Sequence, residues 1–565
     1  MTHPCSTSIL AAVCMAIVPA VPSFAESERP VLLPVPQSLV VEVNSLQDGE
    51  IRADGALTLR EAIELTNGTL SLRDLSEAEQ ALVKFLGSGQ SSRITWGGVP
   101  ETAEMPVLYL STPLPPLAQA HVVLDGTLDD RKVLLRPADS VTIPRGLTIL
   151  TDGVRVQNLA FQGFNTANTS FGSGFNVEVS EEIRPNTLTG AIVITQGNAL
   201  YDLQELPWIA QLTPPQGVEI TGIEVGGESL DQATRDSLPS SFGIVLFEGI
   251  DSLIHGNTFQ GLEGSAILTG KEASGSQIYD NEIRGNGSAG MADGIRLEGT
   301  IAGVAIYNNR ICENGGSGIF LFKPQGSVSI RDNDIHFNGT SSHRGAIYLT
   351  GSGHEVLNNR ISHQLGGGGV VVAAYPRSVQ NRIQDNRFAA LDGLSIDLVV
   401  RRHTGVWDNA IGDGVNPPRD SGNRRLDTAN RGINAPQFVG EEFFLFEDTV
   451  TIAGEADPGA IVDIYKVSQS SQRTAGADFR DYAPLTELLV SLPVDTETGR
   501  FQIALKGLET GDRISAIATD PALGTSEPAK NAIIRTIEST PGTLDRAETP
   551  IPISTNPSIP CGPSL

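Results

Sequence analysis

The stretch VAIYNNRICENGGSGIFL, residues 304–321, decides the fold. It contains an alternating run at Val304-Ala-Ile306, an Asn-x-apolar triplet at Asn309-Arg-Ile311, and a second apolar run that ends at Leu321 after a glycine-rich turn. Apolar residues at every second position are typical of strands with one buried face. Asn and Gly accept the left-handed backbone that tight corners need. The stretch therefore predicts three short strands separated by corners.

The same triplet recurs on both sides of this stretch at intervals of 24 to 28 residues, beginning at Asn257, Asn281, Asn309, Asn333, Asn359 and Asn386. In three units a second asparagine follows five residues later, at Asn286, Asn314 and Asn338. One unit cannot bury its apolar face alone, whereas units stacked about 4.8 Å apart bury a continuous column. The period therefore predicts a parallel β-helix with ladders of asparagine amides at its corners. A leucine-rich repeat would need an L-x-x-L-x-L pattern, which these units lack.

At these residues the chain resembles the right-handed parallel β-helix family, whose architecture is shared with pectin lyases. The resemblance is well marked over about 240–400 and weaker over 100–240, where 154–161, 191–194 and 218–220 suggest earlier turns of the helix. The stretches 165–188 and 197–216 are expected to loop out. In this family a polysaccharide binds along one exposed sheet, so the resemblance implies an extracellular or cell-surface glycan as partner.

The N-terminus has the features of an export signal. Residues 1–25 contain no Asp, Glu, Lys or Arg, and an apolar run from Ile9 to Val18 precedes Ser23-Phe-Ala25. Small residues at such positions suit a signal peptidase, and ten apolar residues are too few to span a bilayer. The sequence predicts a cleaved signal peptide over 1–25 and a secreted, cell-surface or periplasmic protein with no membrane span.

The segments that flank the repeat are expected to cap it. Thr58 and Glu61 form a capping-box pair that predicts a helix over 57–67, and Ser76 and Glu79 repeat the signal before 81–86. Leu59-Arg-Glu-Ala-Ile63 resembles the core of the CSLREA domain, found at the N-terminus of exported bacterial β-helix proteins. Residues 26–98 are therefore expected to form a linker and a helical cap, and 99–436 the β-helix.

After about 436 the repeat stops, and strand-like runs separated by turn residues occupy 449–535. They resemble a small bacterial immunoglobulin-like sandwich, which predicts a domain over 437–535. Residues 536–565 are rich in Pro, Ser and Thr and are expected to be disordered. The predicted fold is mainly β: a right-handed parallel β-helix with an N-terminal helical cap and a C-terminal immunoglobulin-like β-sandwich.

Charge and cysteine content limit the function. The 565 residues carry 39 basic and 66 acidic side chains, a net charge of −27. This acidity argues against nucleic acid as a partner, although 241–440 is nearly balanced, with 17 basic and 19 acidic residues. Only Cys312 and Cys561 lie outside the predicted signal, which predicts neither a disulfide framework nor a zinc site. The oligomeric state stays open.

The middle position of each Gly-Ile-x-Leu strand should face outward, and reading it along successive units gives Val245, Ile267 or Leu268, Arg296, Phe320, Tyr348, Val371 and Ser395. Phe and Tyr can lie against sugar faces, and Arg can pair with a carboxylate. The sequence predicts a substrate-binding surface at Arg296, Phe320 and Tyr348, with His343 and Arg344 beside them. The alternative is that loops or the last domain cover this mostly apolar row.

Three further groups have a structural and a functional interpretation. The corner residues Asp280, Asn308, Asp332, Asn358 and Asp385 suit turns, or a Ca²⁺ ladder. The histidines at 336, 343, 354 and 363 are expected at the surface or in turns rather than as metal ligands or bases. The arginine-rich segment 401–440 either joins the β-helix to the last domain or holds an anionic glycan. No cofactor is predicted, with Ca²⁺ as a possibility.

Two functions remain open. The first is a non-catalytic protein that binds extracellular polysaccharide, and the second is a lyase, hydrolase or C5-epimerase that acts on uronate polymers. The enzymes need a base and a positive charge or Ca²⁺ beside a uronate carboxylate. The sequence favours binding, because no catalytic set can be placed residue by residue.

Overall fold

Three long sheets of short parallel strands wind through most of the chain in a computed structural model, which describes residues 38–87, 89–99, 105–166, 188–197, 213–226, 238–375, 377–403, 410–418, 421–423, 427–468 and 481–537. The predicted signal peptide, most of the two expected loops and nearly all of the predicted tail lie outside these residues. The strands follow one another in the order sheet 1, sheet 2, sheet 3 within each turn, and this arrangement confirms the right-handed parallel β-helix.

Sheet 1 has twelve strands among the described residues: Leu39–Val43, Val83–Phe85, Arg93–Trp96, Val123–Asp125, Arg155–Gln157, Glu219–Thr221, Leu253–His255, Gln277–Tyr279, Val304–Tyr307, Val328–Arg331, Glu355–Leu357 and Arg382–Gln384. Sheet 2 has eleven in the same part of the chain: Val107–Leu110, Thr127–Leu128, Arg131–Pro137, Leu159–Phe161, Glu224–Val225, Thr258–Gln260, Glu282–Arg284, Arg310–Cys312, Asp334–His336, Arg360–Ser362 and Arg387–Ala389. Sheet 3 has nine, on the same basis: Arg145–Ile149, Gly190–Ile194, Ile244–Glu248, Ile267–Glu272, Ile295–Leu297, Ile319–Leu321, Ile347–Thr350, Val370–Ala373 and Ile396–Leu398.

Apolar side chains fill the inside of the coil. On sheet 1 the middle residue of each strand from 253 to 384 is inaccessible to solvent: Ile254, Ile278, Ile306, Ile330, Val356 and Ile383. The neighbouring residues of these strands face outward and are less buried, as the period-two alternation predicts. The three faces meet in one continuous hydrophobic core.

The predicted asparagine ladder is present at the corner between sheets 1 and 2. Each of Asn257, Asn281, Asn309, Asn333 and Asn359 donates its Nδ2 hydrogen to Oδ1 of the next asparagine at 2.9–3.0 Å. A second ladder joins Asn286, Asn314 and Asn338 at 2.9–3.0 Å. The residue before most ladder asparagines has a positive φ, between 53° and 57° at Asp280, Asn308, Asp332, Asn358 and Asp385. Turn geometry therefore accounts for Asp and Asn at this corner.

The N-terminal cap follows the predicted capping signals only in part. The helix Leu59–Asn67 begins at Thr58 with a capping box to Glu61, and the helix Glu77–Gln80 begins at Ser76 with one to Glu79. The expectation of a helix through 81–86 is wrong, because Val83–Phe85 is a strand that pairs antiparallel with Leu39–Val41. The unpaired edge of Leu39–Val43 outweighs the local helical signal.

The C-terminal domain has nine strands within the described residues: Gln437–Phe438, Glu442–Phe446, Thr449–Glu455, Ile461–Val467, Leu485–Pro493, Arg500–Lys506, Arg513–Asp520, Gly524–Thr525 and Ala532–Thr536. Their pairing is antiparallel except between Glu442–Phe446 and Ala532–Thr536. A core of its own includes Val462, Ile464 and Ile514. This agrees in kind with the expected immunoglobulin-like sandwich, while the exact domain boundaries stay predictions.

The domain covers the last turn of the coil. Gly524 forms a parallel bridge with Asn381, and the Ile383 N–H donates to Thr525 Oγ1 at 2.9 Å. Tyr465 Oη accepts from the Asp385 N–H at 3.1 Å. These contacts continue sheet 1 past its last strand and close the end of the β-helix.

Candidate functional site

We call one turn of the β-helix a rung. The sheet 3 row is the set of outward-facing residues on sheet 3 that pair with one another in successive rungs. Arg296 pairs with Phe320, and Phe320 with Tyr348, as the sequence predicts. Of the two alternatives for the preceding rung, Leu268 is the one in register. The assignment of Ser395 is wrong, because Val371 pairs with Asp397. Val370 pairs with Ile396, so Ser395 lies at the corner position where the preceding rung has a glycine.

The sheet 3 row is buried. The exposed fraction is 8% for Arg296, 1% for Phe320 and 3% for Tyr348. Phe320 and Tyr348 pack in an apolar cluster with Val371, Val399 and Ala410. The alternative that the row is covered therefore describes this structure, and an open groove over these residues does not.

A charge network holds the two arginines of this region together. Arg296 and Arg344 each donate an Nη1 hydrogen to the buried Asp293, to Oδ2 at 3.2 Å and to Oδ1 at 3.1 Å respectively. Arg296 Nε donates to Glu298 Oε1 at 2.6 Å. Two guanidinium charges thus face two carboxylates, so the network is close to neutral.

Aromatic stacking completes this network. The guanidinium carbons of Arg296 and Arg344 lie 4.8 and 4.9 Å from the centroid of the Phe320 ring, which stacks on Tyr348 at 4.7 Å. His343 precedes Arg344 in the chain. Its backbone N–H donates to the carbonyl of Gly339 in the same loop at 3.4 Å. The structure therefore brings together four of the five predicted residues. Contact of any of them with a ligand stays a prediction.

A second outward column, which we call the sheet 1 column, lies on sheet 1 and consists of His255, Tyr279, Tyr307 and Arg331. The ring of His255 stacks on Tyr279 at 4.6 Å and 5°, and Tyr279 stacks on Tyr307 at 4.9 Å and 0°. The Arg331 guanidinium lies 4.2 Å from the Tyr307 centroid. The four side chains are half-buried. Because the rings cover each other's faces, their edges and polar atoms are what the column presents to solvent.

Polar groups flank this column. Glu219 accepts from Arg155 Nε at 2.8 Å and lies 3.1 Å from His255 Nε2. Burial tends to raise the pKa of Glu219, but its hydrogen bonds with Arg155 and His255 lower it overall. Tyr307 donates its hydroxyl to Gln277 Oε1 at 2.9 Å. The outer face of sheet 1 is thus a strip of hydroxyl, imidazole, amide, guanidinium and carboxylate groups.

The sheet 1 column was not predicted, although the sequence contains a signal for it. Its members are the residues two positions before a ladder asparagine, at Asn257, Asn281, Asn309 and Asn333. One corner residue separates each member of the column from its asparagine. Two of these corner residues, Asp280 and Asp332, have left-handed backbone. Aromatic and cationic residues at this recurrent position are in register once the asparagines are aligned.

The four histidines considered as a cluster are in different environments. His354 is inaccessible, its Nδ1 accepts from the Val328 N–H at 3.2 Å, and burial lowers its pKa to about 4. His363 stacks on Phe337 at 4.4 Å, and burial lowers its pKa as well. His354 lies at a corner of the coil, in keeping with the expectation of a surface or turn position, but it is buried there.

Two buried carboxyl groups lie where the last turn of sheet 3 meets the C-terminal domain. Glu527 accepts hydrogen bonds from the Leu398 and Asn416 N–H groups at 3.0 and 2.8 Å, and Asp397 accepts from Asp413 N at 3.1 Å. Burial, and then the neighbouring carboxylates, raise the pKa of Asp397 well above its usual range. Burial likewise raises the pKa of Glu527 to about 8.

Cys312 is fully buried and disulfide-bonded, which its spacing did not predict. None of the helices in the described part of the chain has the length and hydrophobicity of a membrane-spanning helix. In the same residues, no group of three or more His, Cys, Asp or Glu side chains is placed to hold a metal ion.

Comparison with known proteins gives a partial family match. Residues 243–392 match the family model described as "Periplasmic copper-binding protein (NosD)". No curated protein sequence matches the chain.

Among solved structures, the chain is similar to a mutant of the periplasmic alginate epimerase AlgG, at 15% identity and a TM-score of 0.30, over 54% of this chain and 57% of the epimerase. It is similar to the Dettilon tailspike protein at 12% and 0.34, over 79% and 86% of the two chains. It is also similar to PfbA, a surface adhesin of Streptococcus pneumoniae, at 14% and 0.32, over 59% and 85%. The chain thus spans little more than half of the epimerase. The three similarities do not assign a function to this chain.

Proposed function

We propose that the chain is an exported β-helix protein that binds an extracellular or cell-surface polysaccharide without altering it, and that the sheet 1 column lies at the centre of its binding surface. The observation that carries this proposal is the half-exposed stack His255–Tyr279–Tyr307–Arg331. Its polar edges repeat at the rung spacing of about 4.8 Å. A regular strip of donors and acceptors suits a polymer that repeats hydroxyl groups along its length.

The surface needs little rearrangement to bind a ligand. Stacking orders the rings, and Glu219 fixes His255 while Asp332 accepts from Arg331 Nη1 at 3.0 Å. Side chains that are held in place lose little conformational entropy on binding. Because the sheet 3 row is buried and its arginines face carboxylates, it offers less free hydrogen-bonding capacity than sheet 1. Binding by the buried Arg296, Phe320 and Tyr348 would require the cover over sheet 3 to move. His343 is exposed and Arg344 is half-buried beside them.

Export is part of the proposal, supported by the signal-like residues 1–25 and by the periplasmic description of the family matched over 243–392. Copper, which that description also names, is not part of it, because no group of three or more His, Cys, Asp or Glu side chains in the described part of the chain is placed to hold a metal ion. Two possible soft or imidazole donors are already engaged, since Cys312 is disulfide-bonded and both ring nitrogens of His354 make hydrogen bonds, with Val328 N and Thr350 O.

The test measures binding of the full purified chain to alginate, pectate, glycosaminoglycans and a neutral glucan, by affinity electrophoresis and calorimetry. The double variant Tyr279→Ala/Tyr307→Ala should weaken binding at least tenfold. Tyr109→Ala is the matched control, because Tyr109 is 47% exposed and lies on sheet 2, away from the column. Circular dichroism checks that each variant is folded.

Two outcomes would overturn the proposal. Equal binding by the double variant and by Tyr109→Ala would remove the sheet 1 column from the binding surface. A loss confined to Arg344→Gln would move the site to the charge network beside the sheet 3 row. Unsaturated, shortened or epimerised products, sought with and without Ca²⁺, would replace binding by the alternative of a lyase, hydrolase or epimerase.

A further inference from the structure

Three arginines line one cavity beside the last turn of the β-helix. The cavity has a volume of about 360 Å³, and Arg377, Arg401 and Arg431 line it together with Asp427. Arg377 follows the sheet 3 strand Val370–Ala373, whereas the other two belong to the arginine-rich segment after the last rung. The fold thus brings together cations that are up to 54 positions apart in the chain.

The backbone around this cavity is tied to the coil. The Arg401 N–H donates to the carbonyl of Asp427 at 3.0 Å, and Val400 forms an antiparallel bridge with Thr428. Ser352 Oγ donates to the Arg377 carbonyl at 2.7 Å. All three arginines therefore stand on segments that are hydrogen-bonded to the β-helix or to each other.

Two consecutive residues at this cavity have left-handed backbone, Asn430 with φ 48° and Arg431 with φ 52°. Non-glycine residues adopt this region at a cost, which the surroundings must offset. The buried side chain of Asn430 does so, since Oδ1 accepts from Asn381 N at 3.2 Å and Nδ2 donates to Thr525 O at 2.9 Å. The strain fixes the backbone from which Arg431 extends.

The charge of the lining is opposite to that of the chain. Among the described residues that line the cavity, three guanidinium groups face one carboxylate, an excess of two positive charges in a protein of net charge −27. All three arginines are exposed to solvent. Guanidinium groups bind carboxylate and related oxyanions with two parallel hydrogen bonds. A cavity of this size falls at the lower end of those that bind small ligands.

We propose that this cavity binds an oxyanion carried by a sugar residue, either a uronate carboxylate or a sulfate ester. The inference rests on the proposed function and specifies it, because it makes the ligand an acidic polysaccharide. The neutral part of the polymer would lie along the outer face of the coil, and the arginine cavity would select for charge.

The experiment titrates the full chain with methyl glucuronide, a sulfated methyl glucoside and neutral methyl glucoside, at low and at physiological salt. The two acidic sugars test the two sources of the oxyanion. We expect at least one of them to bind, the neutral sugar to bind at least tenfold more weakly, and added salt to weaken the acidic sugar.

Matched variants test the assignment of the cavity. Arg377→Gln/Arg401→Gln should weaken binding of the acidic sugar at least tenfold. Arg387→Gln/Arg402→Gln removes the same charge from exposed arginines outside the lining and should change it less than twofold. Equal losses in the two double variants, or equal affinity for the neutral sugar, would overturn the inference.

The measurements distinguish failure of the arginine cavity as a binding site from failure of the proposed polysaccharide binding. Polysaccharide binding that depends on Tyr279 and Tyr307, without binding of either acidic monosaccharide, would remove the cavity and leave the proposed function. Binding of an acidic monosaccharide without any polysaccharide would do the reverse.

Discussion

At the scale of single residues, the amide ladder supplies the hydrogen bonds that the corners of the coil would otherwise lack. Asn309 illustrates this, because its Nδ2 donates to Asn333 Oδ1, Ile278 O and Tyr307 O, and its Oδ1 accepts from both nitrogens of Asn281. The side chain is 1% exposed. Water cannot replace these partners, so each ladder asparagine matters to two neighbouring rungs.

Replacing Asn309 should therefore be costly. Asn309→Ala leaves buried donors and acceptors on both neighbours, and we expect the free energy of unfolding to fall by about 3 kcal/mol. Urea unfolding followed by circular dichroism measures this. The control is Asn308→Gly at the exposed adjacent position, where φ is 55° and glycine fits without strain. A similar loss in both variants would contradict a specific role of the ladder.

At the scale of elements, the cap depends on buried glutamates that bind backbone amides. Glu79 is inaccessible and accepts from the N–H groups of Asp54 and Gly55 at 3.1 and 2.9 Å and of Ser76 at 2.7 Å. The short helix Glu77–Gln80 thus holds a loop that is more than twenty residues earlier in the chain. Without this carboxylate the loop loses its main anchor.

We expect Glu79→Ala to lower the free energy of unfolding of the cap by about 2–3 kcal/mol, since hydrogen bonds to a charged group are lost. Hydrogen exchange at the amides of Asp54 and Gly55 should accelerate in the variant. Glu77→Ala removes an exposed glutamate from the same helix and should leave these amides protected. Unchanged exchange in Glu79→Ala would contradict the anchoring role.

Some elements of the fold could be predicted from the sequence, and others could not. The strand positions, the asparagine ladders and the adjacency of Arg296, Phe320 and Tyr348 follow from period and spacing, because each rung repeats the same local rules. The strand Val83–Phe85 does not, since it depends on the free edge of Leu39–Val43, far away in the chain. The burial of the sheet 3 row is also beyond a local pattern, because the covering residues come from later segments such as Ala410.

At the scale of the whole molecule, two buried carboxyl groups lie between the coil and the last domain. Glu527 holds its proton up to about pH 8 in the folded chain, against an ordinary value of 4.5. Between these values the folded chain binds more protons than the unfolded chain, so the free energy of unfolding falls as pH rises. Asp397 acts in the same direction. His354 acts in the opposite direction, but it titrates between about pH 4 and 6.5.

The chain should therefore be less stable at pH 8.5 than at pH 6.5, by at least about 1 kcal/mol. Glu527→Gln should remove most of this difference, whereas Glu497→Gln, at an exposed position of the same domain, should preserve it. Urea midpoints at the two pH values measure the effect. Equal pH dependence in the two variants would show that the junction does not titrate in this range.

The N-terminal cap and the C-terminal domain close the two ends of the coil and are called its lids below. Their position has a consequence for how such a protein can change in length. The N-terminal lid pairs with the first strands of sheet 1, and the described contacts of the C-terminal lid are with the last turn, at residues such as Asn381, Ile383 and Asp385. Apart from the segment that covers sheet 3, the turns between them contact mainly their neighbours, through asparagine amides and aliphatic side chains that are similar from one turn to the next. Duplication or loss of a whole unit in the gene would leave both lids with the surfaces they already fit. The length of the coil, and with it the reach of its outer face, can therefore evolve in steps of one turn.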